Sequence, residues 1–160
     1  MLQTQDATTV EFRDIPAEKA AEPAYYVRGI PFNMIEQFWQ YAEPYVKRAL
    51  DHANGEFTPL DLKKSCLVRD AQLWLVMKKE RIVAAAITQI VNYPQRRHAR
   101  VITLAGTGGD EWTAILDDAL HQWGKANGCN AIEAFVRKGY VQKLAQYGYK
   151  HKYSCIIKEM

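Results

Sequence analysis

Arg100-Val101-Ile102-Thr103-Leu104-Ala105-Gly106-Thr107-Gly108-Gly109-Asp110-Glu111-Trp112 is the stretch on which the fold turns. Val101 to Ala105 is β-branched and apolar, as expected of a strand covered on both faces. Gly106-Thr107-Gly108-Gly109 breaks it, since glycine alone enters positive φ freely and lets backbone approach a ligand closely. Asp110 is placed to cap a helix. Trp112, Ile115, Leu116, Ala119, Leu120 and Trp123 then recur at helical spacing and make one apolar stripe. Asn127-Gly128 supplies a left-handed helix end, and Cys129 to Val136 reads as the next strand, with Arg137 at its end. Two strands joined by one helix form a crossover unit. The turn at its mouth points backbone N–H groups outward and suits an anion. The same glycines also serve a plain tight turn.

Working outward, Leu73 to Met77 and Arg81 to Asn92 form a hairpin around Lys78-Lys79-Glu80. Tyr93-Pro94-Gln95-Arg96 turns the chain into Arg97 to Ala105, which completes a three-strand antiparallel meander. Upstream, Tyr25 to Arg28 has strand character and stops at Gly29 and Pro31. Asn33 with Glu36 has capping-box spacing for a helix carrying Ile35, Phe38, Trp39, Ala42, Val46 and Ala49. Pro44 is expected to kink or divide that helix. Thr58-Pro59, with Asp61, starts a second helix burying Leu60, Cys66 and Leu67. Downstream, Gly139 to Tyr147 reads as a short helix and Tyr149 to Lys158 as a final strand, which could pair with a neighbouring copy in a homodimer. Residues 1–24 read as a loose segment with an edge strand at Thr8 to Arg13. The whole is one α/β (α+β) domain: a mixed sheet with a meander, a crossover helix after a glycine turn, and helices on both faces.

The chain has 160 residues, 48% hydrophobic and 24% charged, which suits one globular domain with a substantial core. A net charge of +3 is too weak to indicate nucleic acid, and the Arg96-Arg97-His98-Ala99-Arg100 cluster lacks a recognised nucleic-acid module. Three scattered cysteines and four histidines show no ligand spacing, so reduced thiols, a cytoplasmic protein and no metal site are expected. The longest apolar run, Ile82 to Ile87, is too short to span a bilayer, and Met1 to Ala20 is too polar for a signal peptide.

This order of elements resembles the GCN5-related N-acetyltransferase (GNAT) superfamily, in particular its degenerate bacteriophage and prophage branch. The resemblance is carried by Gln72-Leu73-Trp74-Leu75-Val76, by the Gly106–Gly109 turn with its helix, by Gly128-Cys129, and by Leu144-Ala145-Gln146-Tyr147-Gly148-Tyr149. It implies an N-acyltransferase that moves an acetyl group from acetyl-CoA directly to a small-molecule or protein amine. It also implies that Leu104, Ala105, Gly106, Thr107, Gly108, Gly109 and Arg137 meet the co-substrate. The alternative is a catalytically degenerate GNAT-fold binding or virion-associated phage protein, located in host cytoplasm or virion. The family's Arg/Gln-x-x-Gly-x-Gly/Ala motif has Thr103 at its first position here, and Asp110 and Glu111 put carboxylates at a helix start that would receive phosphate. Leu144 stands where the family has its acidic tyrosine, with Tyr140 one helical turn earlier on the same face. Glu133 is the candidate base, on the strand face opposite Ile132, Ala134 and Val136; a strand glutamate paired with a basic side chain is the competing reading. His98 is a second candidate base.

Overall fold

The computed structural model describes residues 24–160; the segment before it, including Thr8 to Arg13, lies outside the described residues. Five strands form one sheet in sequence order: β1 (Tyr26–Ile30), β2 (Gln72–Lys78), β3 (Arg81–Asn92), β4 (Arg97–Gly106) and β5 (Ala131–Ala134). The first four pair antiparallel and β5 pairs parallel to β4. The meander and crossover read from the sequence are therefore both present, in one mixed sheet.

Helices α1 (Ile35–Leu50) and α2 (Pro59–Leu67) cover one face, and α3 (Gly109–Ala126) covers the other. On the α3 side, Trp112, Leu116, Ala119, Leu120 and Trp123 pack on Val27, Trp74, Val76, Ala84, Ala86 and Ala99. Trp123 meets Trp74 edge to face with ring centroids 5.6 Å apart. On the other side, Ile35, Trp39, Ala42, Val46, Leu62 and Cys66 pack on Leu73, Leu75, Ala85 and Ile87. Burial without a polar partner pushes the Cys66 thiol up to about 12, so it behaves as a small apolar side chain. No helix among the described residues is long and apolar enough to cross a membrane.

Several local expectations are corrected. Pro44 lies inside α1 and does not divide it. Pro44 has no N–H for the carbonyl of Gln40, which is an exposed residue open to solvent. Asn33 caps nothing: a 3-10 turn at Phe32–Met34 leads into α1, and Glu36 instead pairs with Lys63 of α2 at 2.8 Å. At α2, Thr58 and Asp61 do form a reciprocal capping box, but Leu62 rather than Leu60 is buried. Asp110 is not the cap of α3; Gly108 is, at φ +68°. The last helix, α4, spans Lys138–Ala145, and Tyr149 to Lys158 forms no strand.

Candidate active site

The sheet opens between β4 and β5, and the register shows why. β3 and β4 pair Ile87 with Thr103 and Thr88 with Val101, so Ile102 is an extra residue on β4. Such a bulge bends and twists its strand. The rungs from β4 to β5 run His98–Ala131, Ala99–Ile132, Arg100–Glu133 and Val101–Ala134, and stop there. From Ile102 to Gly106, β4 therefore has β3 on one side and no strand among the described residues on the other. A strand edge in this state offers a row of N–H and C=O groups to an extended ligand. Leu104, which pairs with Ala86 on the α3 face, is 40% exposed there.

At the end of this free edge stands the glycine turn. Gly106 and Gly108 have different causes. A Cβ on Gly106 would lie 2.3 Å from Ala84 Cβ and 2.8 Å from both Trp112 Cζ2 and the Val83 carbonyl. Gly106 is thus demanded by packing. Gly108 has room for a Cβ but holds a left-handed backbone, which glycine accepts without strain. The turn is tied down by Thr107 N–H to the Val83 carbonyl (2.9 Å) and Trp112 Nε1 to the Thr107 carbonyl (2.7 Å).

With glycine at the N-cap, no side chain caps α3. The Glu111 N–H turns back to the Gly108 carbonyl at 3.0 Å, and the N–H groups of Gly109 and Asp110 are the ones left for an anion. Of the two carboxylates in that turn, Glu111 accepts a hydrogen bond from Tyr25 Oη at 2.5 Å, which fixes its charge beside β1. That bond, with burial and the Glu111 charge, raises the Tyr25 phenol above its ordinary range. A cation also reaches the turn: Arg48 of α1 donates from Nη2 to the Gly106 carbonyl at 2.6 Å.

One rung from the opening, on the face opposite α3, the strands bring four polar side chains together. Glu133 accepts from Arg100 Nε (2.8 Å), from Tyr93 Oη (3.0 and 3.1 Å) and from His98 Nδ1 (3.0 Å). Arg100 also donates to Tyr93 Oη at 3.1 Å. Burial would raise the Glu133 carboxyl, but hydrogen bonds from His98, Tyr93 and Arg100, with the Arg100 charge, outweigh it and hold the group below the usual carboxylate range. A carboxylate so held is a weak base. Because it can only accept, His98 carries its hydrogen on Nδ1, which leaves the Nε2 lone pair free when the ring is neutral. That Nε2 is buried and has no hydrogen-bond partner.

The other sequence candidates sit apart from this cluster. Tyr140 lies in the first turn of α4, exposed, with the Arg137 guanidinium and the Lys143 ammonium each 5.5 Å from its ring centroid. Thr103, in the motif's Arg/Gln position, is buried on the α1 face beside Ile87, with its hydroxyl unpartnered. Arg48 escaped sequence reading, and Arg100, read there as part of a basic cluster, proves to be the basic partner of Glu133. Arg48 is one of several charges on an amphipathic helix, and nothing in its spacing points at a turn almost sixty residues away.

The fold is shared with acetyltransferases. An aminoglycoside acetyltransferase from an uncultured soil metagenomic sample, solved with trehalose, superposes with a TM-score of 0.63 at 12% identity, covering 88% of this chain and 99% of that one. A predicted acetyltransferase with acetyl-CoA from Clostridium acetobutylicum gives 0.61 at 14% identity, covering 84% and 96%. Glucosamine-6-phosphate N-acetyltransferase from Arabidopsis thaliana gives 0.59 at 10% identity, covering 86% and 99%. No family model and no curated protein sequence matches the chain.

Proposed function

We propose that the protein is a GNAT-type N-acyltransferase that transfers an acetyl group from acetyl-CoA directly to an amine. The observation that carries this reading is the free edge of β4 past the Ile102 bulge, ending at the uncapped N-terminus of α3. An extended pantetheine arm pairs with such an edge as a strand would, and the diphosphate meets the N–H groups of Gly109 and Asp110. Arg48 supplies the positive charge that Thr103 does not. Leu104, Ala105 and the turn residues line the same path, and Arg137 stands beyond the end of β5.

In this reading the amine nitrogen attacks the thioester carbonyl carbon, the C–S bond breaks, and an amide forms. His98 Nε2 takes the amine proton, with Glu133 holding the ring by Nδ1 and stabilising the imidazolium that results. Glu133 is then a positioning residue rather than the base itself. Tyr140 is the acid that protonates the departing thiolate.

A second reading, a GNAT-fold protein that binds without catalysis, is favoured by the saturation of Glu133 and by the packing reason for Gly106. Calorimetric titration with acetyl-CoA and with free CoA, followed by a thiol-release assay over a panel of amines, separates the two. Micromolar binding with amine-dependent thiol release supports the transferase. Binding without release supports the second reading, and no binding at millimolar ligand removes acyl-CoA from both.

A further inference from the structure

Two aromatic rings flank the ionic cluster on the α1 face. Glu133 pairs with Arg100 across the strands, and Phe135, two residues further on, continues the same face one position past the last β4–β5 rung. It therefore stands level with Ile102, where the opening starts. The Arg100 guanidinium confirms the placement, lying 5.0 Å from the centroid of the Phe135 ring. The ring is nevertheless 75% exposed. On the other side of the cluster, Tyr93 donates its hydroxyl to Glu133 and meets the His98 ring edge to face, with centroids 5.0 Å apart. It too is exposed, at 42%.

The charges between these rings close on themselves. Glu133 accepts from three donors, and Arg100 balances its charge at 2.8 Å. Among the described residues, no other carboxylate has a hydrogen bond or ion pair to the cluster. The charged residues that flank it in the chain, Arg96 and Arg137, are both exposed cations. An acceptor with several ammonium groups needs a free carboxylate for each, and here it would meet cations instead. What the site does offer to the body of a substrate is an open aromatic face beside the opening.

We infer that the acceptor is a primary amine carried on an aromatic body, with no second positive charge, whose ring lies on the part of Phe135 that Arg100 leaves open. This inference rests on the acyl-transfer reading and narrows it to one class of acceptor. From that position the amine extends along the α1 face into the opening, toward the thioester. Acetyl leaves the CoA sulfur for the amine nitrogen, an amide forms, and the proton that nitrogen gives up ends on the sulfur. No further reactant is required. Arg100 acts here as a positioning residue, holding the Phe135 ring on one side and Glu133 on the other.

The test compares 2-phenylethylamine, hexylamine and spermidine as acceptors, by thiol release from acetyl-CoA, in the wild type and in Phe135→Ala and Phe135→Tyr variants. Acetyl-CoA affinity is measured by calorimetry on each. Phe135 is exposed and outside any strand, so both variants fold. The expected wild-type order of kcat/KM is 2-phenylethylamine, then hexylamine, then spermidine. In Phe135→Ala the KM for 2-phenylethylamine should rise about tenfold, as for loss of one ring-on-ring contact, with kcat and acetyl-CoA affinity unchanged. Phe135→Tyr, which keeps the ring, should behave as the wild type. Transfer to spermidine as efficient as to 2-phenylethylamine, or a KM indifferent to Phe135→Ala, overturns the inference and leaves acyl transfer standing. Acetyl-CoA that binds but releases no thiol with any of the three amines overturns it as well. Acetyl-CoA that does not bind at all takes the acyl-transfer reading down with it.

Discussion

The two halves of β4 make opposite use of their edges. From His98 to Val101 the strand is paired on both sides, and its side chains on the α1 face are consumed in a network around Glu133. From Ile102 to Gly106 it is paired on one side only, and it ends at a helix with no capping side chain. The difference comes from one extra residue, Ile102. Backbone groups are left over in the open half, whereas the paired half leaves one buried lone pair, on His98 Nε2, without a partner.

Substitutions on either side of the bulge sharpen this contrast. Gly106→Val should have the largest effect, about 3 kcal/mol of stability, because Ala84, Trp112 and the Val83 carbonyl leave no room for even a Cβ. Urea unfolding measures it, and a neutral result would mean that the turn is looser than its contacts indicate. In the paired half, His98→Gln should lower kcat about 100-fold while acetyl-CoA affinity is unchanged. Steady-state rates measure the effect, and an unaltered kcat would dismiss His98 as the base.

Glu133→Gln should cost about 1–2 kcal/mol, since Arg100 and His98 lose a charged acceptor in a part-buried site. Its pH dependence follows from the sign of the shift. The folded carboxyl ionises below the unfolded one, so its contribution is complete above the ordinary glutamate value of about 4.3 and disappears as pH falls through the lower folded value. Acid unfolding of the variant should be correspondingly less steep. At the open half, Arg48→Ala should weaken CoA binding about tenfold without altering stability, as expected for loss of one charge-assisted contact. Gly108→Ala should cost about 1 kcal/mol through its left-handed backbone alone. Gly108→Glu should further weaken CoA binding in a protein that still folds.

How far all this was legible in the sequence depends on the length over which each cause acts. The bounds of β3 and the apolar stripe of α3 follow from periodicity, which is a local property, and the sheet order follows from short connections. The bulge at Ile102 leaves no mark in Val101-Ile102-Thr103-Leu104-Ala105, because an apolar run looks the same with or without an extra residue. Whether Pro44 divides its helix depends on what meets the orphaned carbonyl, and that is not a local property of the sequence. Tyr149 to Lys158 has the composition of a strand, but a strand needs a partner, and composition does not supply one. At the site, Glu133 could be placed on the correct face by alternation; that three donors converge on it required the β4–β5 register.

The central claim is that the open half of β4 and the α3 turn form one acyl-CoA site, and amide hydrogen exchange with and without acetyl-CoA tests it most directly. The expected result is slowed exchange at Ile102 to Gly106 and at Gly108 to Glu111, with Arg97 to Val101 unchanged. Binding that leaves those two stretches untouched, or no binding at all, would contradict it.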